Sequence, residues 1–237
     1  MGACDVVAAQ SNAFGHGLGF AAQVRLKSRY EYSYIESAAI QIGDDVLEVS
    51  AYGAYFVNGV SDAKLPAKMG EGKYQYTLTK THTNKHEVSF DIKIRDGRTI
   101  ASIKAFKDLV SLRFYETSEM DFGDVQGIMG DFHNGTHLAR DGHTIIENLD
   151  DFGQEWQVRP GQDPDLFMHK SPIQYPASKC VIRNPVLDER RRLGESISVE
   201  AATKACSDHF STKGAVQACV YDVIATGDLE AAMAGAY

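Results

Sequence analysis

The sequence predicts a mainly β protein, an antiparallel β-sandwich followed by a small α-helical module that carries disulfides. Three observations predict this fold class. Apolar and polar residues alternate along short segments of the first half, glycine-containing turns separate these segments, and the periodicity becomes helical after residue 186. With 237 residues, 43% of them hydrophobic, the chain can bury one sizeable core and a small satellite module.

The strand-like alternation begins at Phe20. Apolar residues at every second position from Phe20 to Leu26 predict a strand with one buried face. The same pattern predicts strands at 38–42, 47–49, 55–57, 88–94, 100–106 and 110–114. Asn58-Gly59 and Asp96-Gly97 supply the positive φ that tight hairpins need. Because no helical segment separates these strands, neighbours are expected to pair antiparallel.

The character of the chain changes after Trp156. Five of the six prolines lie between residues 160 and 186, so residues 160–185 are expected to form an extended strap along the sheets. Residues 186–237 then show a helical period, with Ser198 as a candidate N-cap. One helix face is expected to carry Val216, Cys219, Val220 and Val223.

The cysteines favour an oxidising compartment over four free thiols. Their count is even, and sequence alone allows three pairings. The helical tail is expected to be closed by a bond between Cys206 and Cys219, or tied to Cys180. No Cys-x-x-Cys spacing typical of zinc or redox sites occurs. The four cysteines are Cys4, Cys180, Cys206 and Cys219.

Charge excludes some function classes. The formal charge is −8 at pH 7, whereas nucleic-acid binders usually carry a clustered basic field. The one basic run, Arg190 to Arg192, has acidic neighbours and is typical of a solvated helix face. No stretch reaches the roughly 20 apolar residues of a membrane span, and no signal peptide is visible. We therefore expect neither nucleic-acid binding nor membrane insertion of this segment.

A polar, glycine-rich stretch, residues 127–145, is the candidate site. It contains three histidines, but the Asn, Gly and Thr between the first two argue against the helix that would bring them to one zinc ion. Calcium takes oxygens from Asp, Asn and backbone carbonyls in flexible loops. Asp131, Asn134 and Asp141 are the candidate calcium ligands, and the alternative is an ordinary turn between strands.

Other chemistry has little support in the sequence. Asn134-Gly135-Thr136 is an N-glycosylation acceptor if the chain enters a secretory pathway, and a glycan there would compete with a metal for Asn134. The sequence contains no nucleophile elbow, metalloprotease helix, phosphate-binding loop or dinucleotide fingerprint. We therefore predict no catalytic residue.

Two motifs resemble the closing part of a von Willebrand factor type D domain. They are "GIMGDF" at 127–132, similar to the family's Gly-Leu-Cys-Gly-Asn-Phe turn, and "FGQEWQV" at 152–158, similar to its Phe-Gly-x-x-Trp-x-Val segment. Upstream, the stretches that resemble the family's strands and central hairpin are "CDVVAAQ", "FAAQVRLK", "YFVNGV" and "LPAKMGEGKYQY". The resemblance covers residues 3–159 and implies a type D β domain over residues 1–159.

A further match lies in the tail. Residues 219–227 are similar to the Cys-x-x-Asp-x-x-x-Thr-Gly core of a cysteine-containing tail that follows such domains in some multidomain surface proteins. Departures from the family pattern also have implications. Nothing upstream of Cys4 matches the family's Gly-Asp-Pro-His opening, so the opening strand is expected to be missing. Met129 takes the place of a family cysteine, which leaves Cys4 to pair elsewhere, with Cys180 as a candidate.

The resemblance implies a non-enzymatic, secreted or cell-surface module with an adhesive, matrix or structural role. Its expected partners are other proteins or matrix components. Calcium is the cofactor that the family suggests, although only Asp131 matches its ligand positions. The alternative is a small-molecule oxidative enzyme, because a few marine luciferases are built from this type of domain.

Overall fold

Two antiparallel sheets make up most of the fold in the computed structural model. The structure describes residues 3–29, 32–72, 74–84, 86–115, 122–132, 135–171, 175–177 and 197–233. The first sheet consists of β1 (Ala3–Ser11), β2 (Phe20–Arg29), β3 (Tyr32–Ile42), β4 (Asp45–Ser50), β5 (Tyr55–Val57) and β6 (Val60–Ser61). The second consists of β7 (Ala67–Met69), β8 (Tyr76–Asn84), β9 (Glu87–Lys93), β10 (Thr99–Phe106) and β11 (Leu109–Phe114). In both, consecutive strands are neighbours, so each sheet is a meander.

The main core lies between the two sheets because each directs its alternating apolar residues inward. Phe20, Ala22 and Val24 of β2 belong to the same buried cluster as Phe90 and Ile92 of β9. The prediction of a mainly β protein with antiparallel sheets is therefore confirmed.

The predicted hairpin turns are present. Asn58 and Gly59, with φ of 50° and 77°, connect β5 to β6, and Gly97, with φ of 90°, lies between β9 and β10. Strand β8 was not predicted. It contributes Tyr76 and Leu78 to the core, but its remaining residues are mostly Thr, Lys and His, so its apolar alternation is too short to recognise.

Helical segments are few among the described residues. They are α1 (Phe14–Gly17), α2 (Leu149–Glu155), α3 (Val199–Ser207) and α4 (Lys213–Thr226), with 3-10 turns at Ala51–Gly53 and Leu229–Met233. The turn named α1 is irregular, because Gly15 and His16 both have a φ of 60°. No helix in the described ranges combines the length and the apolar character that crossing a bilayer requires.

The segment after β11 covers one half of the outer edge of β1. Gln10 and Gln126 exchange two backbone hydrogen bonds of 2.7 and 2.9 Å, and the N–H of Met129 donates to the carbonyl of Ala8 at 3.1 Å. Gly127 lies between them and approaches β1 so closely that a Cβ atom would sit 2.3 Å from the carbonyl oxygen of Ala8. A glycine is therefore required at this position.

The segment after α2 covers the other half of this edge. The N–H of Val7 donates to the carbonyl of Trp156 at 2.8 Å, and the N–H of Val158 donates to the carbonyl of Asp5 at 2.9 Å. Trp156 is fully buried and forms a small apolar cluster with Val7 and Phe152. The edge strand of the first sheet thus has a hydrogen-bonded neighbour on both sides.

The first part of the strap lies on the outer face of the first sheet. The side-chain amide of Gln23 donates to the carbonyl of Pro164 at 2.6 Å, and the N–H of Met168 donates to the carboxylate of Glu48 at 2.8 Å. Between these anchors, Phe167 is buried against the sheet. Gln23 and Glu48 are buried as a result.

The helical tail forms a second buried cluster. Ser198 caps α3 by accepting from the N–H of Ala201 at 3.1 Å, as its position predicts. The cluster contains Ala202, Cys206, Cys219, Val223, Ala231 and Ala232, with Val216 and Val220 at its margin. The predicted apolar face of α4 is thus confirmed.

An ion-pair network attaches the tail to the turn between β10 and β11. The ammonium nitrogen of Lys107 lies 2.8 Å from a carboxylate oxygen of Asp228 and 2.5 Å from one of Glu230. These hydrogen bonds raise the pKa of Lys107 above its ordinary value. Leu109, which follows in the chain, packs against the tail cluster.

We predict that Gly127→Ala lowers the free energy of unfolding by about 1–3 kcal/mol, because the added methyl group forces the segment away from the backbone of β1. Gly153→Ala in α2 is the matched control. No atom lies within 4 Å of its added Cβ, and alanine favours a helix by up to about 1 kcal/mol. Urea unfolding of both variants checks the prediction, and equal effects would contradict it.

Candidate functional site

The described residues of 127–145, which leave out 133 and 134, form two consecutive turns. In the first, the N–H of Asp131 donates to the carbonyl of Thr136 at 3.0 Å, and the N–H of Gly135 donates back to the carbonyl of Asp131 at 2.8 Å. The second is a small hairpin in which Leu138 bridges to Ile145. The stretch therefore contains turns, as the alternative interpretation expected. It connects the two segments that pair with the edge of β1, and not two regular strands.

The carboxylate of Asp141 holds the second turn. One of its oxygens accepts from the N–H groups of His143 and Thr144, both at 2.8 Å, and the other accepts from the Thr144 hydroxyl at 2.6 Å. These bonds, led by the one from the Thr144 hydroxyl, lower the pKa of Asp141 to about 2. A calcium ion at Asp141 would have to compete with these three donors.

The remaining candidate ligands do not form a described metal centre. His133 and Asn134 lie outside the described residues, and with them the predicted glycosylation site and one of the predicted calcium ligands. The ring of His137 stacks on Phe152, with 4.6 Å between ring centroids. Within the described ranges, no three His, Cys, Asp or Glu side chains are grouped so that they could hold a metal ion. Calcium binding by Asp131, Asn134 and Asp141 stays a prediction.

Arg140 connects the loop to neighbouring segments of the chain. Its guanidinium donates to both carboxylate oxygens of Asp163, at 2.6 and 3.0 Å, and to the carbonyls of Glu155 and Gln157, at 2.9 and 2.8 Å. It also lies 4.9 Å from the ring centroid of Trp156. Arg140 thus joins the loop, the end of α2 and the beginning of the strap.

The carboxylate of Asp163 is almost fully enclosed, with 3% of its side chain exposed. Besides the two bonds from Arg140, it accepts from the N–H of Arg159 at 2.6 Å. A buried carboxylate needs such charge-assisted donors to offset the loss of hydration. Sequence reasoning missed this pair, because its two members are 23 residues apart and no local pattern marks either of them.

Two of the four cysteines form a described disulfide. Cys206 and Cys219 are bonded, which selects one of the two possibilities left open for the tail. Cys4 is disulfide-bonded as well, but its partner lies outside the described residues, as does Cys180. None of the described cysteines is a free thiol.

No protein-family model matches the chain, and no curated protein matches it. The resemblance to the von Willebrand factor type D domain therefore remains a hypothesis, which rests on the motifs themselves and on where they lie in the fold.

We predict that Arg140→Met lowers the free energy of unfolding by about 3 kcal/mol, since it leaves the enclosed carboxylate of Asp163 without its charged partner. The control is Arg98→Met. Arg98 pairs with Asp96 on the surface, with about half of each side chain exposed, and its loss should cost less than about 1 kcal/mol. Chemical unfolding monitored through the single Trp measures both. Similar losses in the two variants would contradict a structural role of Arg140.

A pH dependence follows from Asp141. Its folded pKa of about 2 lies below the ordinary value of 3.8, so its contribution to stability is present above about pH 4 and is lost as the pH falls toward 2. We therefore expect Asp141→Ala to lose less melting temperature than the native protein over this acid range. Thr144→Val, which keeps the carboxylate but removes its hydroxyl donor, should fall between the two. If the melting temperatures of all three proteins fall equally over this pH range, this explanation is ruled out.

Proposed function

We propose that this chain is a non-enzymatic extracellular module of the von Willebrand factor type D kind, with an adhesive, matrix or cell-surface role. The observation that carries the proposal is the convergence of the two family-like motifs on β1. Residues 127–132 pair with one half of its edge and residues 152–158 with the other. Two chance matches would have no reason to meet on one strand, whereas the closing parts of a single domain would.

The disulfides support an extracellular location. Cys206 and Cys219 are bonded in the tail, and Cys4 at the beginning of β1 is bonded as well. Structural disulfides form and persist in oxidising compartments and are rare in the reducing cytosol.

The loop supports a binding or structural role over catalysis. Two of its polar side chains make hydrogen bonds that hold the loop itself, since Asp141 holds a turn and Arg140 joins three segments. Its apolar side chains are more available to a partner. Met129 and Ile145 are 47% and 62% exposed, as is Leu149 at the start of α2 at 68%, and partner proteins bury exposed apolar surface of this kind. The proposed partners are other proteins or matrix components.

The rival proposal is the oxidative enzyme. An apolar pocket with a convergent, perturbed polar pair would favour it. One cavity that the structure places among described residues has carboxylate, amide and amine groups in its walls. That lining favours the binding of a polar ligand.

Non-reducing peptide mapping of the protein from its native source tests the extracellular proposal. We expect no alkylation of thiols before reduction, and a linked pair of peptides that contains Cys206 and Cys219. Reduction should destabilise the tail by about 3 kcal/mol, because the unfolded chain between Cys206 and Cys219 then regains the conformational freedom that the bond removes. Four thiols that react without reduction would overturn the proposal.

A further inference from the structure

A cavity of about 330 Å³ lies between the edge of β1 and the strap. Its floor is formed by Asp5 of β1 and by Gln157, in the segment that pairs with β1. Asp163, Lys170 and Tyr175 contribute to its walls. Small-molecule sites have volumes of about 300–1,000 Å³, so this cavity, which we call the strap cavity, suits a small ligand.

The polar walls of the strap cavity are held in place by arginines. The carboxylate of Asp5 accepts from the guanidinium of Arg25 at 2.7 and 2.8 Å, and Arg25 itself lies 4.4 Å from the ring centroid of Phe167. Asp163 is held by Arg140 in the same bidentate manner. Because these side chains are already ordered, a ligand would not have to order them.

The described lining residues leave acceptors without leaving net charge. A carboxylate has about four acceptor positions, and the contacts with Arg25 use two of those on Asp5. The negative charges of Asp5 and Asp163 are balanced by Arg25 and Arg140. Asp165 and Lys170, the other charged residues of the described lining, carry opposite charges. A neutral ligand with several hydroxyl donors fits this lining, whereas a strongly charged ligand does not.

An aromatic ring completes the strap cavity. Tyr175 is 41% exposed, so part of its surface is open to a ligand. The segment that carries it is fixed by Gln157, whose amide donates to the carbonyl of Ala177 at 2.7 Å and accepts from its N–H at 3.0 Å. An aromatic face is negative and attracts the weakly positive C–H groups of an apolar ligand face.

We propose that the strap cavity binds a neutral saccharide, the terminal sugar of a glycan. Sugar hydroxyls donate to Asp5 and Asp165, and the C–H face of the sugar ring packs on Tyr175. The proposal rests on the proposed function in one respect, because an extracellular adhesive module meets glycans. It gives that module a class of ligand.

Titration of the full chain with neutral monosaccharides, followed by NMR, tests the inference. Glucose, galactose, mannose and N-acetylglucosamine are the probes, each at millimolar concentration. We expect at least one of them to shift the backbone signals of residues around the strap cavity. Tyr175→Ala should weaken the affinity for that sugar about tenfold, and Tyr175→Phe, which keeps the ring, should change it less than about threefold.

Tyr52→Ala is the matched control, since Tyr52 is an exposed tyrosine, 78% accessible, that is not part of the cavity lining. Its sugar affinity should equal that of the native protein. The inference is overturned if no sugar shifts these signals, if Tyr175→Ala binds as well as Tyr52→Ala, or if lysine amide binds and the sugars do not. If the protein binds a sugar but its cysteines are free thiols, only the extracellular proposal is contradicted. If its cysteines are oxidised but it binds no sugar, only the present inference is contradicted.

Discussion

The covering of the β1 edge is the constraint on which the remaining structure depends. An edge strand exposes a row of N–H and C=O groups that pair readily with other chains. Here those groups are taken by the residues around Gly127 on one half and around Trp156 on the other. Because both covering segments must reach the same strand, the polar loop between them has its two ends fixed. Between these two ends, Asp141 holds a turn and Arg140 reaches α2 and the strap.

The strap also encloses polar side chains of the first sheet. Gln23 and Glu48 hydrogen-bond to the strap backbone, and the guanidinium of Arg25 contacts both the carboxylate of Asp5 and the ring of Phe167. Each group has a partner, so burial does not leave an uncompensated charge. The strap cavity, where we place a ligand, lies beside these contacts, between the edge of β1 and the strap.

The candidate site was predicted in outline only. Its glycines and polar residues indicated a tight turn, and Asp141 does hold one. The importance of Arg140 could not be predicted, because its bonds reach Glu155, Gln157 and Asp163 across segments with no shared periodicity. The histidines illustrate the converse. A histidine in such a stretch is a possible metal ligand, yet the ring of His137 stacks on Phe152.

Local patterns in the sequence predicted β2 to β5, β9 to β11, the hairpin turns and the apolar face of the last helix, but not β8. Each depends on residues close in the chain, whose side chains point to one face with a period of 2 or 3.6. Three features depend on the tertiary fold alone. Gln23 is buried, Asp163 pairs with Arg140, and two separate motifs pair with the edge of β1. These contacts join residues far apart in the chain, and they exist because buried polar groups and a strand edge must find partners wherever the fold brings them.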